Sequence, residues 1–108
     1  MSFRIVRVSR GSFEPAAYPE IRARLIESKR TLIPAIRALR GCLHFYAAID
    51  SASSMMINAS VWESPQDARQ MDTLAPMLAL AAEFVKLGVR FDRPILNYEV
   101  LWDLKDSA

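Results

Sequence analysis

Residues 3–10 alternate apolar and polar side chains with the period of two that is typical of β-strands. Residues 42–50 and 55–62 are two further predicted strands, and the turn of small residues between them, Ser51 to Ser54, predicts a hairpin loop. A fourth strand is predicted to open at Pro94 and to reach about residue 102. The strands therefore fall into one at the start of the chain, a central pair and one near the end.

Between the first two strands, the apolar residues recur instead at the spacing of a helix. This helix is predicted to begin near Glu20 and to end before Gly41. Pro34 is expected to kink or divide it, because proline lacks a backbone N–H and its ring clashes with the carbonyl one turn back. The apolar face of the helix consists of Ile21, Leu25, Leu32, Ile36 and Leu39.

A second helical region follows the third strand. Ser64 is a good N-cap and is followed by proline, which suits the first position of a helix. Pro76 falls about three turns later, so two helices are predicted, over residues 65–74 and 76–87, with Gly88 ending the second. Residues 105–108 are expected to form a frayed tail.

The element order is therefore strand, helix, strand, strand, helix, strand. This order predicts a ferredoxin-like βαββαβ unit of the α+β class, with an antiparallel four-stranded sheet and the helices on one face. The length of 108 residues fits one domain over residues 1–108. The other face of the sheet is left bare, and a homodimer is the expected way to cover it.

Composition narrows the possible functions. The chain is 52% hydrophobic and 24% charged, which is typical of a globular domain, and its net charge is only +2. No nucleic-acid partner is predicted, because such proteins concentrate basic residues on one face to a much greater degree. The basic residues of the first helical region are interpreted as its solvated face, with phosphate binding as the alternative. They are Arg22, Arg24, Lys29, Arg30, Arg37 and Arg40.

One cysteine, Cys42, excludes an intramolecular disulfide, and with the single histidine it argues against a soft metal site. No signal peptide is visible before the first strand. The apolar runs are much shorter than the roughly 20 residues that cross a bilayer, so no membrane partner is expected. These features together predict a cytoplasmic protein.

Side chains alternate between the two faces of a strand, so each strand presents two rows. The more apolar rows are expected to pack against the helices, and they contain Val6, Val8, Met55, Ile57, Ala59 and Val61. The other rows define a candidate pocket on the open face, where Arg7 is expected to pair with Glu99. Its aromatic walls and few polar groups suit a flat organic molecule. The candidate lining is His44, Tyr46, Asn58, Ser60 and Trp62, joined by Arg7, Asn97 and Glu99.

Two local motifs add to this layout. Residues 41–46 read Gly-Cys-Leu-His-Phe-Tyr at the entry to the second strand, and residues 61–68 carry a tryptophan at a strand end that leads into a capped helix. With the element order, they resemble the antibiotic biosynthesis monooxygenase-like family. The resemblance implies a dimeric α/β barrel and an enzyme that needs no cofactor. It also implies oxidation of an anthrone-like or quinol-like aromatic by molecular oxygen.

The same resemblance suggests catalytic residues. Asn58 and Trp62 reproduce an asparagine and a tryptophan that some members carry four residues apart on the third strand. An amide can hold a developing enolate or peroxide oxygen, and an indole can donate a hydrogen bond and exclude water. His44 is the candidate base, because histidine is the residue type that ordinarily exchanges a proton near neutral pH. Tyr46 is expected to help hold the substrate.

Two departures from the family pattern bear on the alternatives. Ser9 stands in the region where the family has a further asparagine. The second helical region reads Arg-Gln-Met-Asp at residues 69–72 and lacks the histidine that ligates iron in haem-degrading members. A haem-degrading activity is therefore disfavoured. A non-catalytic dimer that binds a small ligand in the same pocket remains the alternative to an oxygenase.

Overall fold

One antiparallel sheet with helices on one face makes up the computed structural model, which describes residues 3–106. The strands are ordered β2-β3-β1, and the free edge of β1 pairs with both β4 and β5. The predicted α+β ferredoxin-like class is thus confirmed. The elements are β1 (Ile5–Ser12), α1 (Tyr18–Arg37), β2 (Cys42–Asp50), β3 (Met55–Trp62), α2 (Pro65–Ala68), α3 (Ala75–Lys86), β4 (Arg90–Phe91) and β5 (Leu96–Glu99), with 3₁₀ turns at Pro15–Ala17 and Arg69–Thr73.

The last strand differs from its prediction. Instead of one strand from Pro94, the structure has the two-residue β4 and the four-residue β5, which pair with opposite ends of β1. Proline has no backbone N–H to donate to a ladder, so pairing resumes only at Leu96. The first strand, predicted over residues 3–10, is shifted two residues toward the C-terminus and occupies Ile5–Ser12.

Helix α1 continues past Pro34, so the predicted division is wrong. The proline lies in the last turn, where the missing N–H removes one hydrogen bond near the helix end and little helix remains to be disrupted. The backbone N–H of Ala38 then closes the helix on the carbonyl of Pro34 at 3.2 Å. Gly41 follows with a φ of +72°, and a Cβ built there would overlap the carboxylate of Asp67.

The second helical region is more broken than predicted. The Ser64 cap is present, since its Oγ accepts a hydrogen bond from the backbone N–H of Asp67 at 3.1 Å. Helix α2 nevertheless ends at Ala68, and the chain continues as a 3₁₀ turn to Thr73 before α3 begins. A continuous helix would press the ring of Pro76 against the carbonyl of Asp72, which explains the break.

The burial pattern corrects the predicted sheet faces. On β1 the buried side chains are Ile5, Arg7 and Ser9, and on β3 they are Met56, Ser60 and Trp62. The rows expected under the helices, which are Val6 and Val8 with Met55, Ile57, Ala59 and Val61, lie on the open face instead and are partly exposed. The prediction assumed that the bare face would be the more polar one. In fact the polar side chains Arg7 and Ser60 are buried with partners, and aliphatic side chains remain outside.

The segment after β5 is held against β1. Arg4 forms ion pairs with Asp103 and, at 3.2 Å, with Asp106. The backbone N–H of Asp106 donates to the carbonyl of Asp103 at 3.0 Å, so the segment predicted as a frayed tail forms a hydrogen-bonded turn as far as this residue. Residues 107 and 108 lie outside the described range. Trp102, just before the turn, is 76% exposed. Among residues 3–106, no helix has the length and hydropathy required to cross a bilayer.

Candidate active site

A cavity of about 470 Å³ lies between the helix-facing side of the sheet and the helical layer. Its volume is within the range of roughly 300–1,000 Å³ that small-molecule sites occupy. Methionines contribute to its walls and can adapt to different ligand shapes. The apolar lining includes Leu25 and Leu32 from α1, Phe45 from β2, Met56 from β3, and Met77 and Phe84 from α3.

Asparagine and arginine side chains enter this cavity from the sheet. Asn58 of β3 lies opposite Ser9 of β1, and Asn97 of β5 lies opposite Arg7 of β1. All four residues line the cavity. Directly opposed residues on one face of an antiparallel pair have Cβ atoms about 5 Å apart. The fold therefore brings together three of the predicted site residues, Arg7, Asn58 and Asn97, although on the face opposite to the predicted one.

Arg7 does not pair with Glu99 as expected. Its Nη2 donates to Oδ1 of Asp72 in the 3₁₀ turn, at 2.8 Å. Glu99 lies opposite Ile5, beyond the cavity, with an exposed side chain. The contact with Asp72 could not be predicted from the sequence, because the position of Asp72 depends on the break between α2 and α3.

Trp62 and Ser60 share the helix-facing row with Asn58 but lie outside the cavity. Trp62 is fully buried, and its indole N–H donates to the Oγ of Ser60 at 2.8 Å. Ser60 is 1% exposed. Neither side chain lines the cavity, so Trp62 does not make the predicted catalytic contact there and Ser60 does not make the predicted ligand contact there. The two side chains instead satisfy each other in the core.

His44 and Tyr46 lie on the open face of β2, as expected, and are thereby separated from Asn58. Their rings stack at a centroid distance of 6.2 Å and an interplanar angle of 6°. A bulge between Cys42 and His44 changes the register, so that Cys42 faces the core while His44 pairs with Val61. Burial raises the pKa of the Cys42 thiol. His44 borders a second groove, between α1 and the edge strand β2.

The cavity is lined by two further charged side chains that were not identified from the sequence. Asp72 and Arg93 both line it, and the Arg93 guanidinium carbon lies 4.9 Å from the centroid of the Phe91 ring. A lone arginine in a connecting segment has no sequence pattern that marks it as a site residue. Within the part of the chain that the structure describes, no group of three or more His, Cys, Asp or Glu side chains is arranged to hold a metal ion.

The folded chain resembles several solved structures. A candidate antibiotic biosynthesis monooxygenase from Deinococcus radiodurans superposes with a TM-score of 0.71 at 16% identity, covering 96% of this chain and 99% of that one. A second, from Nitrosomonas europaea, gives 0.71 at 11% identity and covers 94% of each chain. SnoaB from Streptomyces nogalater, a cofactor-independent oxygenase, gives 0.63 at 13% identity over 97% of this chain and 100% of its own.

No family model matches the sequence, and no curated protein matches it. The similarity to the solved structures extends over almost the whole chain at low identity, so it defines the fold. The chain has the fold of the antibiotic biosynthesis monooxygenase-like proteins, and the predicted resemblance is confirmed at that level.

Proposed function

We propose that this chain is a cofactor-independent monooxygenase that acts on an activated aromatic molecule of the anthrone or quinol type. The observation that carries the proposal is the amide of Asn58, which enters a largely apolar cavity from the middle of β3. The fold shared with SnoaB, a cofactor-independent oxygenase, supports the same reaction class.

The proposed reaction uses the substrate and dioxygen alone. An anthrone-type methylene loses a proton, and the resulting enolate passes its electrons to O₂ to form a peroxide. The peroxide loses water to leave a quinone carbonyl, so that CH₂ and O₂ give C=O and H₂O. Negative charge develops on the enolate and peroxide oxygens, and fixed N–H donors stabilise such charge more effectively in a water-poor cavity than in bulk water.

Three polar residues of the cavity then have a role in the reaction. Asn58 donates to the developing oxyanion, and Asn97 offers a second amide on the neighbouring part of the sheet. Asp72 is the one carboxylate among the described residues that line the cavity, and it accepts the proton that the substrate methylene loses. His44, the base expected from the sequence, is separated from this ligand site by the sheet within one subunit. Trp62 supports β3 from the core.

The test is oxygen consumption with product mass, on anthrones, naphthols and quinols without added flavin or metal. We expect uptake by the wild type and a loss of about 10²-fold or more in kcat for Asn58→Ala, which is the typical cost of removing one oxyanion donor. Gln66→Ala is the matched control, because it removes an exposed amide from outside the cavity. Absence of uptake on the whole panel, or a full rate in Asn58→Ala, would refute the oxygenase.

A non-catalytic ligand-binding protein is the second candidate. The separation of His44 from the cavity favours it, as does the engagement of the Trp62 N–H by Ser60, because the cavity then holds fewer of the expected reactive groups. This function predicts that a bound aromatic raises the melting temperature while no product forms. Product formation that depends on Asn58 would exclude it.

We also propose that two copies pair through their open sheet faces. The supporting observation is that Val6, Val8, Ile57 and Val61 point away from the helices and remain partly exposed, while Tyr98 on the adjoining strand is 51% exposed. Contiguous apolar surface of this kind is typical of an interface.

Light scattering at micromolar concentration is expected to give the mass of a dimer. Ile57→Lys should shift it to a monomer, while Ala79→Lys, on the exposed side of α3, should not. A wild-type monomer would contradict this assembly.

A further inference from the structure

Arg7 is a buried cation whose one protein partner is largely in solvent. The Arg7 side chain is 7% exposed and that of Asp72 is 56% exposed. Within residues 3–106, the side chain of Arg7 donates one hydrogen bond, from Nη2 to Asp72. A guanidinium has five N–H donors, which belong to Nε, Nη1 and Nη2. Nε and Nη1 of Arg7 are not among enclosed polar atoms without a partner, so both keep contact with open space, and Arg7 lines the cavity.

The charges around the cavity leave a positive excess. Its charged lining residues are Arg7, Arg93 and Asp72, which sum to +1. A buried cation is costly unless an anion satisfies it, and the exposed carboxylate of Asp72 is well solvated by water without Arg7. The cavity therefore offers an incoming anion a preformed partner, surrounded by apolar walls.

We propose that the cavity selects an aromatic ligand that bears a carboxylate, and that Arg7 receives this carboxylate through its free N–H groups. The planar fork of arginine matches the two oxygens of a carboxylate, and apolar walls strengthen the hydrogen bonds. The aromatic part occupies the methionine- and phenylalanine-lined space. This inference rests on the proposed function, because it takes the cavity to be the substrate site. It specifies the substrate more narrowly, as an aromatic carboxylate.

Asp72 competes with the ligand for Arg7. When an aromatic carboxylate binds, it shares the guanidinium with Asp72, and this sharing reduces the net affinity. Removing the charge of Asp72 should therefore strengthen binding of an acid and leave binding of a neutral analogue almost unchanged. A purely structural Arg7, which only ties the 3₁₀ turn to the sheet, predicts no such gain.

The experiment is calorimetric titration with 1-hydroxy-2-naphthoic acid and its methyl ester, in the absence of turnover. We expect the acid to bind the wild type at least about tenfold more tightly than the ester, the minimum for a charge-assisted hydrogen bond in a partly dry site. Arg7→Met should abolish this preference, Arg7→Lys should keep part of it, and Asp72→Asn should increase it.

Equal affinity for acid and ester in the wild type would overturn the proposal, as would a preference that persists in Arg7→Met. Failure of both compounds to bind would overturn it as well. If Arg7→Met does not fold, the wild-type preference and the gain in Asp72→Asn still decide the matter. Because binding is measured directly, an acid preference without oxygen uptake would retain this inference while the oxygenase proposal fails.

Discussion

The burial of Trp62 and its hydrogen bond to Ser60 should together make a large contribution to stability. Replacing Trp62 by Phe removes about 40 Å² of buried apolar surface, or about 1 kcal/mol at 25 cal/mol per Å². It also removes the donor that satisfies the Oγ of Ser60, which costs about 1 kcal/mol more, and it leaves a small cavity. We therefore expect a loss of about 2–3 kcal/mol in the free energy of unfolding.

The assay is urea unfolding followed by far-ultraviolet circular dichroism, at one fixed protein concentration because dimerisation would add to the apparent stability. Ser60→Ala should cost about 1–3 kcal/mol, because it leaves the buried indole N–H without an acceptor. The double variant should lose less than the sum, with a coupling of about 1 kcal/mol. Trp102→Phe, at an exposed site, should change stability by less than about 0.5 kcal/mol.

Additive losses in the double variant, or an unchanged stability in Trp62→Phe, would refute this account of the pair. The result also bears on activity measurements. A fall in turnover in Trp62→Phe is expected to accompany a loss of stability, and it therefore does not by itself indicate a catalytic role. Asn58→Ala changes a cavity side chain instead and gives the cleaner test of the site.

Three other expectations concern the scaffold. Gly41→Ala should lower the free energy of unfolding by about 2 kcal/mol or more, of which about 1 kcal/mol comes from the positive φ and the rest from steric overlap with Asp67. Gly88 has a φ of +96° but open space around it, so Gly88→Ala should lose only about 1 kcal/mol in the same urea titration. Ser64→Ala should cost about 1 kcal/mol by thermal melting, because α2 loses its cap. The hydrogen bond that Arg24 Nε donates to Glu83 at 2.5 Å lowers the pKa of Glu83. The contribution of this carboxylate to stability is therefore present above its pKa in the unfolded chain and is lost as the pH falls through its pKa in the folded protein. An NMR titration should find the pKa of Glu83 higher in Arg24→Gln than in the wild type.

The order of elements could be predicted from the sequence because it follows from local pattern. Alternation indicated β1, and the serine and proline pair indicated the start of α2. The assignment of faces could not be predicted in the same way. Both rows of β1 and β3 contain apolar residues, and the buried row includes Arg7, whose burial depends on Asp72, 65 residues away.

The same limit applies to the candidate site. Asn58 and Trp62 share a face, as four residues along a strand require, yet only Asn58 reaches the cavity. Which member of a row meets a cavity depends on where the helices leave a gap, and this is a property of tertiary packing. The bulge before His44 is equally invisible in the sequence, and it changes the face of Cys42.

The two tryptophans of the chain lie in opposite environments, which gives the protein two optical reporters. Trp62 is fully enclosed and should emit at short wavelength, protected from a quencher such as iodide. Trp102 is 76% exposed and should emit at long wavelength with ready quenching. Its emission would shift toward the blue if a second copy covered the end of β5, while Trp62 would remain unchanged until unfolding. A single unlabelled sample thus separates association from loss of the core.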